Sequence, residues 1–205
     1  MFTPIHLLPQ YDPEKERRYS ERWNTDRGLV VKDKILDLIR KGGGEDFLLR
    51  YLTRHELNVL SDHWDLKGIE LFEEQIDFPV DIDNFEGIDF SYASLYHCKF
   101  NNAVFGSVGF SFTRFYNCEL VNCFFGYTNF YGANLEGTKF INFDFAENNT
   151  ITNCDLRGVV FENYFMPSNL FFDCRFDEKT VVHQLALKPI ASKKNLKLDE
   201  SELMT

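Results

Sequence analysis

From Phe85 to Phe145 a large apolar residue returns at every fifth position: Phe85, Phe90, Leu95, Phe100, Phe105, Phe110, Phe115, Leu120, Phe125, Phe130, Leu135, Phe140 and Phe145. A helix face repeats near 3.6 residues and a strand face at 2, so neither explains this spacing. One extra residue interrupts the series in AENNTI, and it resumes at Ile151, Leu156, Phe161, Met166, Phe171 and Phe176. Two positions before each centre the residue is mostly small, as at Ala93, Cys98, Ala103, Thr113, Cys118, Cys123, Thr128, Ala133 and Thr138, with Phe143 and Tyr164 as large exceptions. Two positions after it, Gly and Asn dominate, for example Gly87, Asn102, Asn117, Asn122, Gly132, Gly137, Asn142, Asn153, Gly158 and Asn163. These residues tolerate left-handed backbone and tight turns. Each five-residue unit therefore supplies one large and one small inward side chain and then turns, as one side of a polygonal coil does.

If four sides close a coil, residues 20 apart stack, about 4.8 Å from one coil to the next as in neighbouring strands. Asn102, Asn122 and Asn142, and Asn163 once the extra residue is allowed for, then form a ladder in which side-chain amides bond coil to coil. Lys99, Glu119 and Lys139 alternate in sign in another column, and Asp155 stands over Arg175. The units ANLEG, CELVN, CDLRG and TNFYG resemble those of the pentapeptide-repeat family, with Phe used heavily at the centre. The resemblance implies a mainly β fold: a right-handed quadrilateral β-helix over residues 81 to 177, on the order of 24 Å long for roughly five coils.

Of the 22 Phe, 18 fall between Phe85 and Phe176, which marks a boundary near residue 80. A solenoid leaves unpaired backbone and apolar side chains at its ends, so both ends need covering. Residues 1 to 64 are expected to form a helical N-terminal domain. Asp12-Pro13-Glu14 reads as a helix start, after which Tyr19 and Trp23 share one face. A second helix is predicted from Leu29 to Lys41 with Val31, Ile35, Leu38 and Ile39 inward, ended by Gly42-Gly43-Gly44. Thr53 to Glu56 has the form of a capping box before Leu57 and Leu60. Leu66, Leu71 and Ile76 keep the five-residue spacing faintly, so residues 65 to 80 are expected to make a degenerate first coil and junction. Residues 178 to 205 are expected to form a short helix, with Val181, Val182 and Leu185 on one side ahead of Pro189, and a disordered tail. The resemblance further implies a homodimer joined through this C-terminal end.

Composition narrows function mainly by exclusion. The start of the chain lacks the basic and apolar regions of a secretory signal and no stretch approaches 18 apolar residues, so a soluble cytoplasmic protein without membrane contact is expected. Five cysteines with no zinc-site spacing fit a reducing compartment. Cys98 over Cys118 and Cys154 over Cys174 are close enough for disulfides, although buried free thiols are the expected state. His55, Glu56 and His63 lack the spacing of a zinc motif, and Glu56 is explained as a cap. No catalytic, cofactor or metal site is expected, since a coil filled with Phe has no pocket. The net charge of −10 argues against nucleic acid as a direct partner and leaves basic protein surfaces open.

Three readings of function follow. The resemblance implies DNA mimicry: acidic relatives present a rod of duplex-like width to DNA gyrase and protect it from quinolones or toxins. Residues 81 to 177 carry five basic against twelve acidic residues, but the acids scatter over many columns. A protein-binding platform is supported by outward aromatics: Tyr92 with Phe112 in one column, Tyr96 with Tyr116 in another, and Tyr131 nearby on the next coil. The third reading makes the solenoid a spacer and gives recognition to the helical part, with Trp23, Trp64 and RHELNVLSDHW as candidates.

Overall fold

The computed structural model describes residues 9–40, 64–77, 85–145, 148–165 and 171–183. Within them the chain is a parallel-strand solenoid of about five turns preceded by helices. Thr53 to Glu56, the glycines at 42 to 44, His55, His63, Leu185, Pro189 and the tail lie outside the described residues, as do the side chains of Leu38, Ile39 and Trp64.

Helix α1 spans Pro13–Glu21. The Asp12 carboxylate accepts from the Glu14 and Lys15 amides at 3.0 and 3.3 Å, which satisfies two of the helix's otherwise unpaired donors. A 3-10 turn, Arg22–Asn24, leads into α2, Asp26–Arg40. This second helix starts three residues before the expected Leu29, because the Thr25 hydroxyl accepts from the Gly28 amide at 3.0 Å and so sets the N-terminus. Val31 and Ile35 are buried as expected, and Leu36 joins them.

The coils have four walls. The first holds β1 (Trp64–Asp65), β5 (Ile88–Asp89), β13 (Ile151–Thr152) and β15 (Phe171–Phe172), linked through single bridges at Gly109, Asn129 and Thr150. The second holds β2 (Glu70–Phe72), β6 (Ser94–Tyr96) and β9 (Arg114–Tyr116), and continues as bridges at Asn134, Asp155 and Arg175. The third holds β3 (Gln75–Asp77), β7 (Lys99–Asn101), β10 (Glu119–Val121), β12 (Lys139–Phe145), β14 (Val160–Phe165) and β16 (Val181–His183). The fourth holds β4 (Phe85–Glu86), β8 (Val104–Gly106) and β11 (Phe124–Gly126), and the long β12 turns the corner to join it. Every pairing among these strands is parallel, as stacked coils of one hand require.

The centre residues fill the interior. Phe90, Phe110 and Phe130 stack at centroid distances of 5.5 and 5.0 Å, and Phe105, Phe125 and Phe145 at 5.0 and 4.6 Å. The small inward residues also bond. Thr113 Oγ1 donates to the Phe90 carbonyl at 2.6 Å, Thr138 to Phe115 at 2.7 Å and Cys118 Sγ to Leu95 at 3.2 Å. Each reaches the centre carbonyl of the preceding wall one coil back, so Thr and Cys fill space and satisfy buried backbone together. Burial pushes the Cys123 thiol up to about 12, and the hydrogen bond to Cys98, together with burial, pushes Cys118 up as well.

Register records where the period is broken. Trp64 pairs with Ile88 and Glu70 with Ser94, whereas Phe85 pairs with Phe105 and Lys99 with Glu119, so the first coil carries four extra residues ahead of Phe85. The extra residue in AENNTI shifts the pairing to Lys139 with Val160. Asn149 repairs that break: its buried side chain accepts from the Thr128 amide at 2.7 Å and donates to the Phe125 carbonyl at 2.8 Å. A second one-residue shift precedes Val181, where Asp177 and Thr180 hold the turn: Asp177 accepts from the Gly158 amide at 2.8 Å, and Thr180 Oγ1 donates to the Leu156 carbonyl at 2.9 Å.

At the C-terminal end the chain forms a strand where a helix was expected. Val181 and Val182, assigned to a short helix, lie on β16 and pair with β14 as one more step of the third wall. Their helical spacing was outweighed by the open edge of β14 and by two consecutive β-branched residues, which favour a strand.

Candidate protein-binding face

The outward aromatics sit in two sets because the backbone puts them there. Tyr92 and Phe112 are the last residues of their units and take left-handed φ values of 61° and 59°, a conformation that Gly132 supplies one coil further on at 64°. A side chain at that corner projects along the rod. Tyr96 and Tyr116 instead follow the buried centres Leu95 and Phe115 on β6 and β9, so strand alternation turns them outward.

The first set is enclosed by the chain itself. Tyr92 packs 5.1 Å from Phe112, and Phe112 lies 5.7 Å from Tyr131. Tyr11 covers both, at 6.1 Å from Tyr92 and 5.8 Å from Phe112, while Tyr19 of α1 lies 5.6 Å from Tyr92. Tyr92 is left 8% exposed. The same burial raises its hydroxyl pKa.

Polar contacts hold the helix on this corner. Glu16 is bonded by both Arg114 and the Tyr11 hydroxyl. Burial alone would raise the Glu16 pKa, yet those two donors hold it below the ordinary carboxylate range. Arg22 grips Asp65 at 2.8 and 2.9 Å and the Lys67 carbonyl at 2.7 Å, and Trp23 Nε1 donates to that carbonyl at 2.8 Å. Lys67 in turn meets Asp89 at 3.1 Å. Gly68, at φ 68°, allows the approach, since a Cβ there would come within 2.5 Å of the Tyr19 backbone.

The second set stays on the surface. Tyr96 stacks on Phe72 at 4.9 Å with the rings 6° from parallel, and Tyr116 follows at 6.2 Å. His97 meets the Tyr116 ring edge-on at 6.3 Å. Phe72 is 57% exposed and Tyr116 43%. Between Phe112 and Tyr116 stands the outward Arg114, tied to Glu16, so the five expected residues divide into Tyr92 and Phe112, which the N-terminal segment packs on, with half-buried Tyr131 beside Phe112, and a separate pair, Tyr96 and Tyr116. Phe72 belongs with that pair and was not anticipated. Its position after the centre Leu71 was the available signal, hidden by the four extra residues that follow it.

Several acidic residues of the coils are engaged. Glu119 bridges Lys139 at 3.0 Å and Lys99 at 3.5 Å. Asp155 is in register with Arg175, as expected, but its close ion pair is with Arg157 at 2.7 Å, and Arg157 also faces Glu136 at 3.6 Å. Asp77 accepts from Asn101 and Asn102 at 3.0 and 3.1 Å, above a ladder that runs Asn102, Asn122, Asn142, Asn163 with amide bonds of 3.3, 3.2 and 3.0 Å. Among the described residues no three His, Cys, Asp or Glu side chains are grouped to hold a metal ion, and no helix is long and apolar enough to cross a membrane.

Five-residue units that each turn a wall, stacked in parallel with left-handed residues at the corners, define a pentapeptide-repeat solenoid. Residues 110–145 match the family model of pentapeptide repeats in eight copies, so this stretch of the coils is built of pentapeptide repeats. Among solved structures, the chain is similar to the pentapeptide repeat protein Rfr23 of the cyanobacterium Cyanothece 51142, at 21% identity over 58% of this chain and 88% of that one, with a TM-score of 0.33. It is also similar to a pentapeptide repeat protein of the Arabidopsis thaliana thylakoid lumen, at 21% identity over 44% of this chain and 59% of that one, with a TM-score of 0.28. QnrB1, a plasmid-mediated fluoroquinolone resistance protein, aligns at 13% identity over 60% of this chain and 80% of its own, with a TM-score of 0.20. No curated protein sequence matches the chain.

Proposed function

We propose that this protein is a non-enzymatic scaffold that binds another protein through the second wall of its solenoid. The observation that carries the reading is the column Phe72, Tyr96 and Tyr116, three rings in adjacent coils with two of them over 40% exposed. Stacked aromatics on a rigid sheet offer large contact area with little side-chain entropy to lose, which is what central interface residues require. A core filled by Phe and free buried thiols support a binding rather than a catalytic role, in a reducing compartment such as the cytoplasm.

The test is capture of partners from a cell lysate by the immobilised protein, beside a Phe72→Ala, Tyr96→Ala, Tyr116→Ala variant and a third-wall control, Val121→Ala, Ile141→Ala. Loss of the captured species with the second-wall variant alone is expected. Equal capture by all three folded proteins would overturn the assignment.

The excess of acidic over basic residues in the coils favours a second reading, an acidic DNA mimic acting on DNA gyrase. The engagement of Glu119, Asp155, Glu136 and Asp89 in ion pairs weakens the continuous negative stripe that such mimicry needs. A supercoiling assay with purified gyrase, with and without a quinolone and across a salt series, separates the two. Salt-sensitive protection supports the mimic, and no effect at high micromolar protein rejects it.

A further inference from the structure

The reading of the second wall as a docking face extends to the chemistry of what docks, and this inference rests on that reading. Phe72 has an acid on either side in the chain, Glu70 outward on the same strand and Glu73 exposed at the corner. Below Tyr116 the next residue of the column is Glu136, whose carbonyl accepts from the Asn117 amide at 3.2 Å and whose carboxylate already faces Arg157 at 3.6 Å. Among the described residues of β2, β6 and β9 the one cation is Arg114, and Glu16 already binds it. The Phe72 end of the open column therefore lies in acidic surroundings. An aromatic face is itself negative, so ring and carboxylate favour the same ligand: a cation with a flat, weakly hydrated body.

The molecule uses this combination twice on its own account. The Arg22 guanidinium lies 4.9 Å over the Trp23 ring while it pairs with Asp65 at 2.8 Å. The Lys67 ammonium lies 5.7 Å from the Tyr19 ring while it pairs with Asp89 at 3.1 Å. Both pairs fasten the helices to the first wall. The second wall offers the same ring-and-carboxylate arrangement facing outward.

We propose that the Phe72–Tyr96–Tyr116 column takes an extended, arginine-bearing segment of a protein partner, with guanidinium groups against the exposed rings of Phe72 and Tyr116 and with Glu70 and Glu73 as counter-charges.

The test uses the full chain and two fluorescent octapeptides, one alternating Gly and Arg, the other with citrulline in place of each Arg, followed by anisotropy across a salt series. The arginine peptide is expected to bind about tenfold tighter than the citrulline peptide. Tyr96→Leu with Tyr116→Leu, which keeps apolar area but removes the ring faces, should weaken it by a similar factor. Glu70→Gln with Glu73→Gln should weaken it about threefold and flatten the salt dependence. Equal binding of the two peptides overturns the arginine assignment while leaving the docking face to the lysate experiment. Arginine binding untouched by the Leu substitutions also overturns it, as attraction to net charge alone. Self-association that vanishes in the same variants overturns it in favour of a second copy of the chain.

Discussion

The second and third walls of the solenoid share a backbone and differ in what they do with it. Along the third wall two columns of outward polar groups meet a copy of themselves or their opposite one coil away: Asn on Asn, Lys on Glu on Lys. Along the second wall the stacking ends on exposed rings, and one flank is covered by a helix. A repeat that satisfies itself coil by coil leaves little for a partner to improve. A repeat whose side chains stack but stay wet leaves apolar surface to be removed from water on binding. The difference lies in outward positions alone, since Phe115 and Leu120 are equally buried behind the two walls.

That equivalence is the first thing to test. Phe115→Ala and Leu120→Ala should each cost about 3–5 kcal/mol in chemical denaturation, because each opens a cavity in a stacked interior. A second-wall cost below half the third-wall cost would mean the walls differ inside as well as out.

The helix-covered flank comes next. Gly68→Ala adds a side chain to a left-handed residue that touches the Tyr19 backbone, with an expected loss of about 2–3 kcal/mol. It should also speed tryptic cleavage at Arg17 and Arg18 as α1 lifts. Unchanged proteolysis would show that the helix is held without the close approach at Gly68.

On the outer faces, Asn122→Ala should cost about 2 kcal/mol, combining a left-handed φ of 54° with three lost side-chain amide bonds. Asn122→Gly, which keeps the backbone conformation, should recover about half of that. Tyr116→Ala should stay within about 0.5 kcal/mol. If the Tyr substitution proves the costlier, the aromatic column is structural and the contrast between the walls fails.

The smallest effect is in pH. Hydrogen bonding to Lys139, with the charge of Lys99 behind it, holds the Glu119 pKa below its ordinary value. A depressed carboxylate stabilises the fold above its unfolded pKa, and that contribution is lost as pH falls through the folded value. With the pair partly exposed it amounts to less than about 1 kcal/mol. Stability of Glu119→Gln should therefore converge on that of the unmodified chain in acid, and a difference that persists there would assign the effect to packing.

Much of this fold is readable from one sequence because the five-residue period is written in the interior, where packing leaves little choice: Phe125 and Phe130 admit no other side than inward. The Asn ladder and the Lys99–Glu119–Lys139 column were readable for the same reason, once four sides were counted. The covering of Tyr92 was not, since Tyr11 and Tyr19 reach it from eighty residues or so away and no periodicity links them. Phe72 was hidden by extra residues, and β16 by a helical pattern that an open strand edge outweighed.

The irregular coils carry one more consequence. A chain of near-identical units spaced by twenty residues has many almost equivalent ways to stack, because slipping one coil past another returns Phe to Phe and Asn to Asn. The four extra residues of the first coil and the single insertions before Asn149 and Val181 make each such slip detectable. Asn149 meets the Thr128 amide and the Phe125 carbonyl in one alignment only. These departures act as index marks, giving a monotonous sequence a unique native state and distinguishing it from misaligned competitors that hydrophobic burial alone would score as equals.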